Sequence, residues 1–214
     1  YFALYNSIPA SKSGASSDAL QIIYCLNDEN YINTMSKVRK IQLLLMSGKD
    51  LKDIDKTLFT KPNEFKTYGD VLNAMFYVDY IVSKEQYKEA SDYCIKILND
   101  AKDMIPKQNL ITIKLQLIIC LFNEDKLDEI KNIWDKDIKK YLDQMGKILP
   151  IFVGINYMYA TLIEKNEVNS NKYFHQLKKI NKKNLDKYQI KEIEDLLNEV
   201  NTKRKNIMFN KIKD

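Results

Sequence analysis

The 214 residues include only five Gly and four Pro among abundant Leu, Ile, Lys, Asn and Tyr, too few turn formers for an all-β chain, and point to an all-α fold. Three widely spaced cysteines, Cys25, Cys94 and Cys120, argue against a disulfide framework or a CxxC metal site and for a reducing compartment. The net charge of +5 sits at the C-terminal end, where twelve Lys or Arg face six Asp or Glu from Lys172 onward; this reads as a solvated lysine-rich helix, and no Arg-rich, aromatic-interleaved patch supports nucleic-acid binding.

The first residue is Tyr1 and not Met, which reads as a fragment or a processed product. Its five apolar or aromatic opening residues, stopping at Asn6, lack the basic leader and cleavage site of a signal peptide and fit the last turn of a membrane helix. A small polar loop over 11–17 comes next, with Ser17 or Asp18 placed to cap the apolar run 19–26. Apolar residues at Tyr31, Ile32, Met35, Val38, Ile41, Leu44 and Leu45 predict a second helix with Gly48 as its C-cap, and Lys37, Arg39 and Lys40 fall on or beside its polar face. The stretch 51–61, ending at Pro62, reads as a linker packed by Leu51, Ile54, Leu58 and Phe59.

From about Phe65 the chain repeats. Residues 80–90 (YIVSKEQYKEA), 120–130 (CLFNEDKLDEI) and 161–171 (TLIEKNEVNSN) share an apolar run, a polar run and one further apolar residue, with Tyr87, Leu127 and Val168 in correspondence. Such elbows at spacings of 40 and 41 residues predict tandem antiparallel helix pairs, a tetratricopeptide-like (TPR-like) α-solenoid. The first pair is carried by Val71, Leu72, Met75, Val78, Tyr80 and Ile81, then Tyr87, Ala90, Tyr93, Cys94, Ile97 and Leu98. Pro106 opens a second pair, 110–122 with Leu127, Ile130, Ile133, Trp134 and Ile138, and Pro150 a third, 151–163 with Val168, Tyr173, Phe174, Leu177 and Ile180. A helix from Leu185 to about Val200 caps the array. The apolar stretch 148–163 is too short for a span and reads as a buried helix. The repeat offsets make Cys94, Trp134 and His175 equivalent inner positions, so His175 reads as a packed residue rather than a ligand. Tyr77, Tyr80, Tyr87, Tyr93, Tyr157, Tyr159 and Tyr173 read as packing residues with polar tips, some available to line a groove.

Asn6, Pro9 and Asp18, in the order N-S-I-P, a Gly-containing loop and S-D-A, resemble the second active-site motif of site-2-protease-like, membrane-embedded zinc metallopeptidases, which reads N-x-x-P, a short loop, then D-G before another helix. In that family the Asp is the third zinc ligand, joining two His of an upstream H-E-x-x-H helix. The resemblance therefore implies Asp18 as a metal ligand, with Asn6 and Pro9 supporting the motif. Three protein ligands would leave zinc a position for the attacking water. Bacterial members continue with a helix, a second helix ending in a phrase like S-G-K-R-P-x-D, and a helical-repeat tail; here SGKDLKD stands at 47–53 before the repeats. Ala19 replaces the usual Gly, and Asp50-Leu51 replaces Arg-Pro. Asp18 is equally suited to plain helix capping.

Two functions emerge as expectations. In the first, residues 1–26 end a membrane peptidase core, 27–62 connect, and 63–214 form a TPR-like tail that binds a peptide or protein in its groove. The tail would face the cytoplasm beside the upstream membrane domain of the same chain. No H-E-x-x-H occurs and His175 is the only histidine, so the fragment holds no catalytic residue and should be inactive alone, zinc belonging to the complete protein. In the second, the chain is a free-standing cytoplasmic interaction or regulatory protein without catalysis.

Overall fold

The computed structural model describes residues 11–12, 15–16, 18–180, 185 and 187–213, with side chains for 22–180, 185 and 189–207. The chain is all-α apart from a minimal antiparallel pair, β1 (Ser11–Lys12) with β2 (Ala15–Ser16), which closes the small polar loop through Ser11 opposite Ser16. Asn6 and Pro9 lie outside the described residues. The helices fall into two compact units, Tyr1–Lys126 and Leu127–Asp214.

The first unit holds α1 (Asp18–Asn27), α2 (Glu29–Met46), α3 (Tyr68–Ser83), α4 (Tyr87–Asp100) and α5 (Lys107–Asn123). α3 lies at its centre and packs against α2, α4 and α5. Val71, Ala74, Val78 and Ile81 of α3 are buried, as the 3.6-residue period requires. On α2 the buried stripe is Tyr31, Thr34, Val38 and Ile41, narrower than the apolar pattern, since Ile32, Met35 and Leu45 are exposed. Gly48, in the left-handed region at φ 87°, ends α2 by donating to Leu45 O, and Lys49 N–H reaches back to Leu44 O. The linker packs as expected: Ile54 and Phe59 are buried, Leu51 and Leu58 half-buried, through two short 3₁₀ turns, Leu51–Asp53 and Lys56–Leu58.

Two helix starts are tied together by one buried carboxylate. Asp28 Oδ1 caps α2 by accepting from Tyr31 N–H (3.1 Å), and its Oδ2 accepts from Gly69 N–H in the first turn of α3 (2.9 Å). The approach is close enough to require glycine, because a Cβ at position 69 would stand 2.5 Å from Tyr31 N. Thr67 and Asp70 complete a capping box on α3.

The second unit holds α6 (Leu127–Ile133), α7 (Lys136–Met145), α8 (Ile151–Met158, prolonged by a π-helical turn, Tyr159–Ile163), α9 (Glu167–Lys179) and α10 (Lys187–Lys213). α8 packs against α7, α9 and α10. Of the stretch 148–163, residues 151–163 form an internal helix and Ile148 before it is 69 % exposed: Val153 to Met158 are all buried, and Gly154 faces Leu196 of α10 so closely that a Cβ would meet its Cδ2 at 2.7 Å. The closing helix runs on to Lys213, beyond the expected end near Val200. Among the described residues no helix is long and apolar enough to cross a membrane.

The elbows recur, with a corrected register. Glu85, Asp125 and Lys165, forty residues apart, all occupy the left-handed region, at φ 59°, 60° and 53°. At the first two, the next N–H closes the helix end: Gln86 donates to Ile81 O (3.0 Å) and Lys126 to Leu121 O (2.9 Å). At the third, Asn166 N–H reaches one residue further back, to Ala160 O (2.9 Å), because the last turn of that helix is π-wound. The buried sets Tyr77, Leu117 and Tyr157, and Ala90, Ile130 and Ser170, keep the same forty-residue spacing. The spacing of 41 for the third copy is therefore overturned. Lys165 and the Asn166 cap, which accepts from Asn169 N–H, start α9 at Glu167, and Val168 is 79 % exposed instead of matching Tyr87 and Leu127.

Candidate functional site

One residue of register is about 100° around a helix. With Glu167 in the place of Tyr87, the counterpart of Cys94 and Trp134 is Phe174, and His175 turns to the exposed side of α9, so its packed placement is corrected. Trp134 is not a core residue either. It stands in a break between α6 and α7, where Asp135 caps α7 by accepting from Asp137 and Ile138 N–H, and it is half-buried with its ring stacked 3.7 Å from that of Tyr159. The single second helix expected there is two helices.

Asp18 is the first residue of α1. Its carboxylate chemistry suits a hard oxygen ligand for zinc; the remaining ligands implied by the resemblance are not on this chain. Among the described residues no group of three or more His, Cys, Asp and Glu is gathered for a metal ion. Cys94 and Cys120 are buried, and burial pushes the Cys120 thiol up to about 12 and Cys94 further in the same direction; Cys25 on α1 is exposed.

The built polar site of the first unit lies where the end of the linker crosses the α3–α4 hairpin. Lys61 places its ammonium 5.2 Å from the ring centre of Tyr77 on α3 and 5.3 Å from that of Tyr93 on α4, two rings that meet edge to face at 81°. The same nitrogen donates to Glu89 Oε1 (2.6 Å), which also accepts from the Tyr77 hydroxyl (2.9 Å). Two aromatic rings and one carboxylate thus flank a single cation whose side chain stays 41 % exposed. Lys61 is held above its ordinary pKa mainly by the Glu89 bond, and Glu89 below its own by Lys61 and then Tyr77. Burial, then the bond to Glu89, pushes Tyr77 up.

The rest of the crossing segment is held by side chains of the same hairpin. The Tyr93 hydroxyl donates to Pro62 O (2.6 Å), and Lys96 Nζ to Asn63 O. Phe65 lies against the Tyr93 ring with Lys96 above it. Upstream, Phe59 stacks on Tyr80 with ring centres 4.4 Å apart. An open cleft of about 540 Å³ includes part of the segment itself, lined by Lys61 and Asn63 with Lys88, Glu89, Asp92, Tyr93 and Lys96. Reading the tyrosines as packing residues with polar tips holds for Tyr77 and Tyr93, both buried. Sequence reasoning missed the part played by Lys61 and Glu89; Glu89 and Tyr93 are spaced i, i+4 on one face of α4, which was the available signal.

Compared with known proteins, the chain matches no family model, no curated protein and no solved structure.

Proposed function

We propose that this chain is the C-terminal part of a site-2-protease-like, membrane-embedded zinc metallopeptidase, and that its helical-repeat region binds a substrate or partner. The reading starts from the N-x-x-P, loop, S-D order of Asn6, Pro9 and Asp18, with Asp18 opening a helix as the motif requires. The observation that carries it is the distribution of exposed apolar surface. Of the twelve large hydrophobic residues exposed among the described ones, eight lie on α1 and α2: Ile22, Ile23 and Leu26, then Ile32, Met35, Leu43, Leu45 and Met46. Contiguous exposed apolar surface is a mark of a protein or membrane contact. Here it is concentrated immediately after the motif that the membrane core would supply, and it is interspersed with Lys37, Arg39 and Lys40, the charge sign favoured on cytoplasmic flanks. In the complete protein zinc would supply the Lewis acid and the activated water, and Asp18 would hold it as the carboxylate ligand.

The exposed Cys25 on this face makes the reading testable. In the chain alone a hydrophilic maleimide should label one cysteine, Cys25, because Cys94 and Cys120 are buried. In the complete protein in its membrane Cys25 should be protected. Equal labelling of Cys25 in both would show that the α1 face adjoins nothing and would remove the reading.

A further inference from the structure

Resting on the reading of the helical repeats as a binding region, we propose that the Tyr77–Glu89–Tyr93 box is a recognition site for a lysine side chain on a partner peptide, and that Lys61 occupies it in cis. The box is made for a compact ammonium. Its two near-perpendicular rings stand with their centres 5.2 and 5.3 Å from the ammonium, and one carboxylate oxygen, which also accepts from the Tyr77 hydroxyl, accepts a hydrogen bond from it at 2.6 Å.

The neighbouring groups recognise the residues C-terminal to such a lysine. Tyr93 and Lys96 donate to the carbonyls of the next two residues, which is independent of their side chains, and the Tyr93 ring receives an aromatic four positions on. The pattern is Lys, three residues of little constraint that bend at the second and third of them, then an aromatic.

The cis occupant can leave without opening the core. Lys61, Asn63, Glu64 and Lys66 sit at the surface, whereas Ile54 and Phe59 upstream are buried and anchor the linker. Residues 61–65 are held from the hairpin by the side chains of Tyr77, Glu89, Tyr93 and Lys96, and the segment is fixed at its two ends by Lys37 Nζ donating to Thr60 Oγ1 (2.6 Å) and Lys66 N–H donating to Asp70 Oδ2 (2.9 Å). A tethered occupant acts at an effective concentration of roughly millimolar, so a partner displaces it only by adding contacts, for which Lys88 and Asp92, on the wall of the same open cleft, are at hand.

The test uses the whole chain and the synthetic peptide acetyl-Lys-Pro-Asn-Glu-Phe-amide, with a second peptide carrying norleucine for lysine. The Lys61→Ala/Phe65→Ala variant, whose native helix content is checked by circular dichroism, should bind the lysine peptide at least about 10-fold more tightly than the native chain does. Norleucine, or Glu89→Gln added to the variant, should weaken that binding about 10-fold. A folded variant that binds both peptides alike, or no better than the native chain, overturns the proposal. If the double variant loses helix, Lys61→Ala alone is melted with butylammonium: a rise in Tm absent from Lys61→Ala/Glu89→Gln supports the site, and no rise overturns it. Cys25 protection is measured independently, so an empty box with Cys25 protected removes this ligand and leaves the membrane reading standing.

Discussion

Asp79 on α3 accepts a hydrogen bond from Gln116 Nε2 on α5, while Gln116 Oε1 is buried without a partner among the described residues. Burial, opposed by that hydrogen bond, pushes the Asp79 carboxyl up from 3.8 to about 6. Its protonated form can donate to the orphaned oxygen, completing a two-bond acid–amide pair. A carboxyl whose folded pKa is raised contributes fully below the unfolded value and loses stability as pH climbs from about 4 to about 6. Asp79→Asn should therefore leave stability unchanged near pH 4 and raise it by up to about 3 kcal/mol at pH 7, as read by urea melts at the two pH values. Equal effects at both would show that the group does not titrate in this window. Trp134→Ala should cost about 1.5–3 kcal/mol, less than for a fully enclosed ring, because the side chain is only half-buried and the Tyr159 stack is what it loses. His175→Leu should lie within about 0.5 kcal/mol of the parent in thermal melts, as expected of an exposed position. Neither side chain's burial was legible, because both were placed by counting residues along a repeat, and one break and one slipped residue reorient them.

The helices themselves were legible where apolar spacing, caps and breakers agreed: Gly48 after α2, Pro106 and Pro150 before α5 and α8, and the stripe Ala90, Tyr93, Cys94, Ile97 on α4. The elbows were legible as polar runs, but their geometry was not, since Glu85 and Lys165 are not residues that advertise a left-handed backbone and only Asp125 is of a type enriched there. Each holds a conformation that glycine adopts without strain. Asp125→Gly and Glu85→Gly should each stabilise the chain by up to about 1 kcal/mol, the relief of strain exceeding the added entropy of the unfolded state. Destabilisation of similar size in denaturant melts would mean that these side chains contribute contacts outweighing the strain. The π-wound end of α8 was invisible to a 3.6-residue period, and with it the true start of α9 at Glu167. The box around Lys61 was hidden for another reason: its parts come from the linker, α3 and α4, and no local pattern joins them.

For the whole molecule, the all-α class comes from composition and periodicity together, and the forty-residue recurrence of elbows is carried by the backbone as well as by the sequence. Two stretches of different chemistry are joined in one chain. α1 and α2 come after the N-x-x-P and S-D order and expose apolar surface, while the α3–α4 hairpin buries its own and carries a polar box on one face. The proposed metallopeptidase reading turns on Asp18. Asn caps a helix about as well as Asp but lacks the anionic oxygen that zinc requires. The most direct measurement of the proposed metallopeptidase reading is zinc content and peptide-bond hydrolysis of the complete protein carrying Asp18→Asn, with the helix content of the 214-residue chain measured alongside. The expected result is unchanged helix content with zinc occupancy and hydrolysis both reduced at least about 100-fold; full zinc occupancy and full hydrolysis in the Asp18→Asn protein would contradict the account.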